Sequence, residues 1–304
     1  RATTVHTRRG KAAGKFRARR AIVLAGGVFG TAQTLMLSGI GPADHLRTNG
    51  IDVFVDRPAV GSNLHDHIDY VSGYETPGMY FLGQTLRGNF QSLLGIFEWL
   101  RKRSGPLTTP YAEAGGFAKT RADIDVPDVQ FHFVPVLLED HGRTKVKAHG
   151  FSCHVCVLRP HSRGTVRLAG SDPAKAPLID PAFLTDDRDV ATLLAGVKLM
   201  NRILESAPLA RHGGRDRHTA GVTDDAALIE IIRNRADTVY HPVGTARMGS
   251  DADAVCDPRL RVRGVESLYI ADASVMPQVV SGNTNAPSIM IGERCADFVR
   301  ADLV

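Results

Sequence analysis

Between residues 187 and 204, apolar side chains fall at Val190, Leu193, Leu194, Val197 and Met200. Steps of three and four put them on one face of a helix. The same reading predicts an amphipathic helix over 91–102 and a helix over 225–235 that opens on acidic residues. Further helices are predicted over 31–37, ended by Gly39, Gly41 and Pro42, and over 43–49 and 286–302. TTVHT and KFRARRAIVL flank Gly10 to Gly14 and predict a β-hairpin. The end of its second strand, 21–24, is wholly apolar, as a buried central strand is. Other strands are predicted over 53–55, 129–135, 151–158, 164–168 and 268–270. No internal repeat is evident. The texture changes near residue 70, so the middle reads as a different module from the two ends of a mixed α/β chain.

The chain has 304 residues, of which 43% are hydrophobic and 23% charged. That is globular composition, with enough length for about two domains. The net charge of +5 comes from scattered Lys and Arg, apart from clusters at Arg8-Arg9 and Arg17–Arg20. Aromatic residues are 6%. Scattered charge and few stacking rings argue against a nucleic-acid binder. No apolar run reaches the ~18 residues of a membrane span, so the expected location is the cytoplasm, or the periphery of a membrane.

Four cysteines do not make a disulfide framework. Cys153 and Cys156 form a C-x-x-C inside the alternating segment FSCHVCVL, where positions three apart face opposite ways. A structural role is expected, and no metal site is predicted.

Three segments could carry chemistry. The first is AIVL followed by A-G-G-V-F-G and a helix. It is close to the dinucleotide fingerprint, with Ala25 in place of the first glycine, and its small residues let the backbone approach a ligand. Asp56, at the end of the next strand, stands where a ribose partner would be sought. The second is VYHPVGTARMG, in which His241 could exchange a proton near neutral pH. The third is LYIADASVMPQVVSGNTNAPSIMIGERCAD. Here a strand ends in Asp272-Ala273, and a polar loop leads into a helix with Pro287 in its first turn. Asn283 or Asn285 could cap that helix or face a polar ligand.

Together the blocks resemble the glucose-methanol-choline (GMC) oxidoreductases. AGGVFGTAQTLMLSGIGP, VGSNLHDH, YHPVGTARMG and DASVMPQVVSGNTNAPSIMIGERCAD occur in that family's order. The branch most resembled is the choline-dehydrogenase-like and alcohol-dehydrogenase-like one, since Asn stands at the second catalytic position. Thr31-Ala32 replace the family's usual Ser-Pro. His65 occupies the variable place of Asn-Leu-x-Asp-His, and no role is expected for it.

The resemblance implies a partial FAD-binding, Rossmann-like domain at 1–68 and 262–304. A substrate domain built on an antiparallel sheet with helices would occupy 69–261. It implies FAD-dependent oxidation of a small-molecule alcohol to an aldehyde or ketone, by hydride transfer from the carbinol carbon. His241 would be the base, and Asn283 would hold the substrate oxygen. Ala25, Gly26 and Gly27 would approach the adenosine side of FAD. Asp272 and Ala273 would meet its ribityl-pyrophosphate region through backbone amides, and Asn283, Thr284 and Pro287 would lie near the ring. Asn63, Asp66 and His67 would border the cofactor.

The family's opening strand and G-x-G-x-x-G turn have no counterpart before residue 1. The chain is therefore expected to be the C-terminal part of such an enzyme, with an N-terminal FAD-binding portion on a separate chain or outside this sequence. Three other readings compete: a hydroxynitrile-lyase-like flavoprotein without net redox, a non-catalytic subunit, and, least supported, an NAD-binding protein. The chain alone is expected to bind FAD poorly. Stoichiometric flavin absorbance on the purified chain would overturn that.

Overall fold

The computed structural model describes residues 1–10, 12–78, 81–83 and 85–303. In chain order the first elements are β1 (Thr4–Arg9), β2 (Ala12–Arg17), β3 (Ile22–Leu24), α1 (Gly27–Leu37), β4 (Ile40–Gly41), α2 (Ala43–Thr48) and β5 (Val55–Asp56). The middle carries β6 (Ile68–Thr76), α3 (Leu86–Lys102), β7 (Ala114–Ala118), β8 (Val129–Val134), β9 (His149–Val157), β10 (Thr165–Arg167) and β11 (Leu178–Asp180). Then follow α4 (Asp187–Leu204), α5 (Ala207–Ala210), β12 (Arg215–Asp216), α6 (Asp225–Arg235), β13 (Asp237–Thr238), β14 (Leu268–Ile270) and α7 (Asn285–Leu303).

These elements form two compact units. The first is residues 1–66, 161–185 and 240–304; the second is 67–160 and 186–239. Segments 161–185 and 240–261, expected in the middle module from their place in the chain, pack in the first unit. The reason is apolar: Val166, Leu168, Val243, Ala246, Val255 and Cys256 fill the same core as Leu35 and Met36 of α1 and Tyr269 and Ile270 of β14.

In the first unit, β3 pairs in parallel with β14, Ile22 opposite Leu268 and Leu24 opposite Ile270. Among the described residues it has no second neighbour, and Val23 is 46% exposed. The expected central buried strand is thus one member of a two-stranded pair, separate from β2. The hairpin turn is also tighter than expected: Gly10 takes a left-handed φ of 59°, and Ala12 already opposes Arg9. Lys11, within that turn, lies outside the described residues. Helix α1 starts four residues earlier than predicted, because Gly27 adopts a left-handed φ of 72° that lets the chain turn directly from β3 into helix.

The second unit is built on a six-stranded antiparallel sheet, in the order β12-β6-β9-β8-β7 with β13 also on β6. Strand β6 gives almost no sequence signal, because nearly every residue on both faces is buried and several are polar. Asp69 is fully buried and accepts a 2.6 Å hydrogen bond from His154 Nδ1. Helices α4 and α6 fall where periodicity put them. Asp186 caps α4 and Asp224 caps α6 through side-chain bonds to backbone N–H groups. Cys153 and Cys156 are buried and on opposite faces of β9, and burial, with Asp69 nearby, pushes the Cys153 thiol up to about 12. Among the described residues no helix is long and apolar enough to cross a membrane.

Gly196 of α4 lies against the sheet; a Cβ there would come within 2.9 Å of Val155 Cγ2 and 3.2 Å of Val129 Cγ1. Gly292 of α7 has no atom within 4 Å of that position. Gly292→Ala should therefore stabilise by up to about 1 kcal/mol through helix propensity. Gly196→Ala should destabilise by about 1 kcal/mol net, since overpacking outweighs the same gain. Chemical denaturation of the two variants beside the parent checks the opposite signs.

Candidate active site

Parallel pairing brings the C-terminal ends of β3 and β14 side by side, although paired residues such as Ile22 and Leu268 are 246 positions apart in the chain. At that edge Asp272 turns its carboxylate inward. One oxygen accepts from the Gly27 N–H at 3.1 Å and from the Thr31 hydroxyl at 2.6 Å; the other accepts from Ser274 N–H at 2.8 Å. Thr31 in turn accepts from Gly26 N–H at 3.1 Å. An anionic group thus satisfies otherwise orphaned amides at the start of α1, where the helix dipole favours it. Thr31, noted in the sequence only for a missing Pro, is a working member of this tie. Ala25 and Gly26 remain exposed, and Ala273 is half-buried.

Three sequence blocks then run alongside one another. Gly244, Ala246 and Met248 donate their N–H groups to Ala273, Ser274 and Val275. On the other side of that segment, Gly61 N–H donates to Thr245, and His65 and Val243 exchange both main-chain bonds. The loop 61–66 is held further by a reciprocal pair between Leu64 and Gly164.

On this framework His241 and Asn283 meet, with His241 Nε2 3.0 Å from Asn283 Nδ2. An amide nitrogen can only donate, so Nε2 accepts and the ring carries its proton on Nδ1. His241 is buried, whereas Asn283 is exposed. Asp66 Oδ1 accepts from the His241 backbone N–H at 2.9 Å and fixes the main chain under the ring. Thr284 is buried and its carbonyl accepts from Ser288 N–H and Oγ as α7 begins; Pro287 lies in the first turn. His67 is buried and belongs to the second unit.

Two residues differ from the sequence reading. Asp56 accepts from Ala43 N–H at 3.0 Å and so closes the start of α2; it is occupied locally, which removes the only support for an NAD ribose partner. His65, to which no role was given, is buried and uses both ring nitrogens. Nδ1 donates to Asn63 O at 2.7 Å and Nε2 accepts from Val279 N–H at 2.9 Å. Burial, and secondarily the Arg163 cation, hold its pKa down at about 4 despite the bond to Asn63. The only sequence signal was a ring side chain in a loop otherwise matching its family; nothing marked it as buried.

A concavity in the second unit is lined by Thr76, Pro77 and 215–218. There Arg217 forms an ion pair with Glu75, and His218 Nε2 lies 3.1 Å from Glu139 Oε2. Among the described residues no three His, Cys, Asp or Glu are placed to hold a metal ion.

Chemistry-bearing residues gathered at the ends of parallel strands and at a helix start define an α/β site of the kind that holds a dinucleotide cofactor. The chain belongs to the GMC oxidoreductase family: two models described as GMC oxidoreductase match residues 1–69 and 160–292. It is 42% identical over 279 residues to an alcohol dehydrogenase (acceptor) of Pseudomonas putida, covering 91% of this chain and 50% of that one. It is 36% identical over 302 residues to an oxygen-dependent choline dehydrogenase of Brucella suis biovar 1, covering 98% and 55%. Formate oxidase of Aspergillus oryzae superposes with a TM-score of 0.89 at 26% identity, over 99% of this chain and 57% of that one. The chain thus spans about half the length of the curated relatives it matches.

Asp272→Ala should destabilise the chain by about 2 kcal/mol, since it strands the Gly27 amide and the Thr31 hydroxyl, with Thr31→Val costing about 1 kcal/mol. Denaturant midpoints check the order. His65 predicts a pH dependence. Its ring is neutral when folded down to about pH 4, but protonates near 6.5 when unfolded. Between those values the unfolded chain binds the extra proton, so stability falls as pH drops from 6.5 to 4. His65→Gln should lack this component, measured as a parent-minus-variant difference that shrinks across that window.

Proposed function

We propose that the chain carries the alcohol-handling residues of an FAD-dependent oxidoreductase that converts a small alcohol to its aldehyde or ketone. The observation that carries this reading is the 3.0 Å approach of His241 Nε2 to Asn283 Nδ2, a base and a donor paired at one point.

The residues fit the cofactor. At the end of β3, Gly27 has open space where a Cβ would stand, and Ala25 and Gly26 are exposed, so a flat or phosphate-bearing group can approach the backbone closely. Ala25, Gly26, Gly27, Asp272 and Ala273 would hold the nucleotide and ribityl portions, with Asp272 acting by shaping the turn. Asn283, Thr284 and Pro287 would border the ring. When bound, FAD supplies the acceptor for the two electrons and the carbinol hydrogen. The rest of the flavin site would come from a further portion, on the same or a separate polypeptide. Support for that is the half-length coverage of the relatives.

His241 and Asn283 bond to each other here, so an arriving hydroxyl replaces that bond with one to each. The hydroxyl donates to His241 Nε2, which is already the acceptor. Asn283 Nδ2–H donates to the same oxygen. As the carbinol hydrogen leaves, the product must be a neutral carbonyl, so the hydroxyl proton passes to Nε2 and the imidazole becomes a cation. Asn283 stabilises negative charge on the oxygen in that step and fixes its direction, an orientation worth several kcal/mol in favourable cases. Asp66, by holding the His241 main chain, keeps the base in place.

In the flavin-loaded protein, His241→Ala should lower turnover by about 10² to 10⁴ and leave flavin binding little changed. Stopped-flow bleaching of the flavin by a panel of alcohols without oxygen measures it. Bleaching identifies oxidation, whereas a lyase would leave the flavin oxidised. Unaltered turnover in the variant would remove His241 from the reaction.

A further inference from the structure

The segment that carries Asn283 has little regular structure to hold it. Between the single 3₁₀ turn at Ala273–Val275 and α7, residues 276–284 form no strand or helix, and Val280, Ser281 and Asn283 are exposed. What anchors it is the loop 61–66. Asn63, in a left-handed conformation with φ 59°, donates from Nδ2 to Pro277 O at 3.2 Å. Two positions on, His65 Nε2 accepts from Val279 N–H at 2.9 Å. Asn63 and His65 are themselves joined, since the Asn63 carbonyl accepts from His65 Nδ1–H at 2.7 Å. Arg163 Nε donates to Asn63 Oδ1 at 3.1 Å and completes that side chain's bonds.

Three residues separate Val279 from Asn283, and a tight bond from Gly282 N–H to Val280 O at 2.9 Å shortens the span. Asn283 is therefore gripped on both sides, by the clamp at 277–279 and by α7 from Asn285 onward. The neighbouring residue of the same loop, Asp66, holds the backbone of His241. One six-residue loop thus fixes both partners of the pair, each by a side-chain-to-main-chain bond.

We propose that His65 is a positioning residue: with Asn63 it clamps Pro277–Val279 and so sets where the Asn283 carboxamide stands relative to His241. This rests on the reading of His241 and Asn283 as the reacting pair, but the clamp itself can be tested without flavin or substrate. The bond His65 accepts requires a bare Nε2, which is why an uncharged ring is needed there. A protonated ring would set two donors, Nε2–H and Val279 N–H, against each other.

The test uses the purified full chain. His65→Leu removes both ring bonds at similar volume, and His65→Gln keeps one acceptor. Hydrogen exchange over 276–283 should accelerate at least about tenfold in His65→Leu and stay nearer the parent in His65→Gln, with β14 and α7 unchanged. The second readout is the titration of the His241 ring, followed by NMR. Asn283→Ala removes a donor that favours the neutral ring, so the His241 midpoint should rise, by up to about one unit. His65→Leu should move it the same way, and the double variant no further than Asn283→Ala alone.

Unchanged exchange at 276–283, or additive shifts in the double variant, would overturn the proposal. Should His65→Leu lose protection throughout the first unit, His65→Gln and Asn63→Ala carry the same two measurements. A chain that fails to reduce flavin with any alcohol would count against the reaction assigned above and leave the clamp standing or falling on exchange and titration.

Discussion

Side-chain bonds to the main chain, rather than regular secondary structure, set the distance between His241 and Asn283. Both residues lie on irregular segments; that of His241 is bridged to the loop 61–66 through Val243, and that of Asn283 has no strand of its own. The loop 61–66 supplies what is missing, through Asp66 to the His241 amide and through Asn63 and His65 to Pro277 and Val279. Such bonds are strong only when buried and complete, since a half-satisfied polar network costs more than an apolar one. His65 uses both nitrogens, and Asn63 engages both ends of its amide as well as its carbonyl. The reciprocal ladders of 64–65 with Gly164 and Val243 keep the loop from shifting as a body.

The same principle recurs at the other end of the candidate site. Asp272 gathers the Gly27 amide, the Thr31 hydroxyl and its own Ser274 amide. The short parallel pair of β3 and β14 brings these groups together, but three residues per strand could not hold them alone. A carboxylate at the start of α1 does both jobs: it closes the turn and answers the positive end of the helix. The small residues beside it are then left open for a ligand's approach.

What the sequence disclosed, and what it hid, follows from how each element is stabilised. Helices α4 and α6 were legible to the residue, because one apolar face and an acidic cap specify them locally. Strand β14 was legible as an apolar run before Asp272. Strand β6 was invisible, because Asp69 and Ser72 sit inside it, bonded to His154 and Asn201 far along the chain. The division into units was misjudged for 161–185 and 240–261 because sequence order was taken for spatial order. The pairing of His241 with Asn283 was anticipated from family resemblance, not from pattern; their side chains lie 3.0 Å apart. His65 was passed over because a variable position looks unconstrained when its burial cannot be seen.

His65 and His241 lie on neighbouring segments, and the surroundings of His65 keep its ring uncharged. His65 is buried, faces Arg163 and accepts from a backbone amide, and each of these disfavours the cation. With its pKa near 4 it stays neutral through the range in which a free imidazole changes charge. A lysine or carboxylate in its place would bring a fixed charge into the framework that holds His241, and would bias that ring toward one protonation state. A neutral clamp holds the segment without setting the charge of the neighbouring ring. His241 keeps its acceptor nitrogen turned toward Asn283, at the exposed end of the pair.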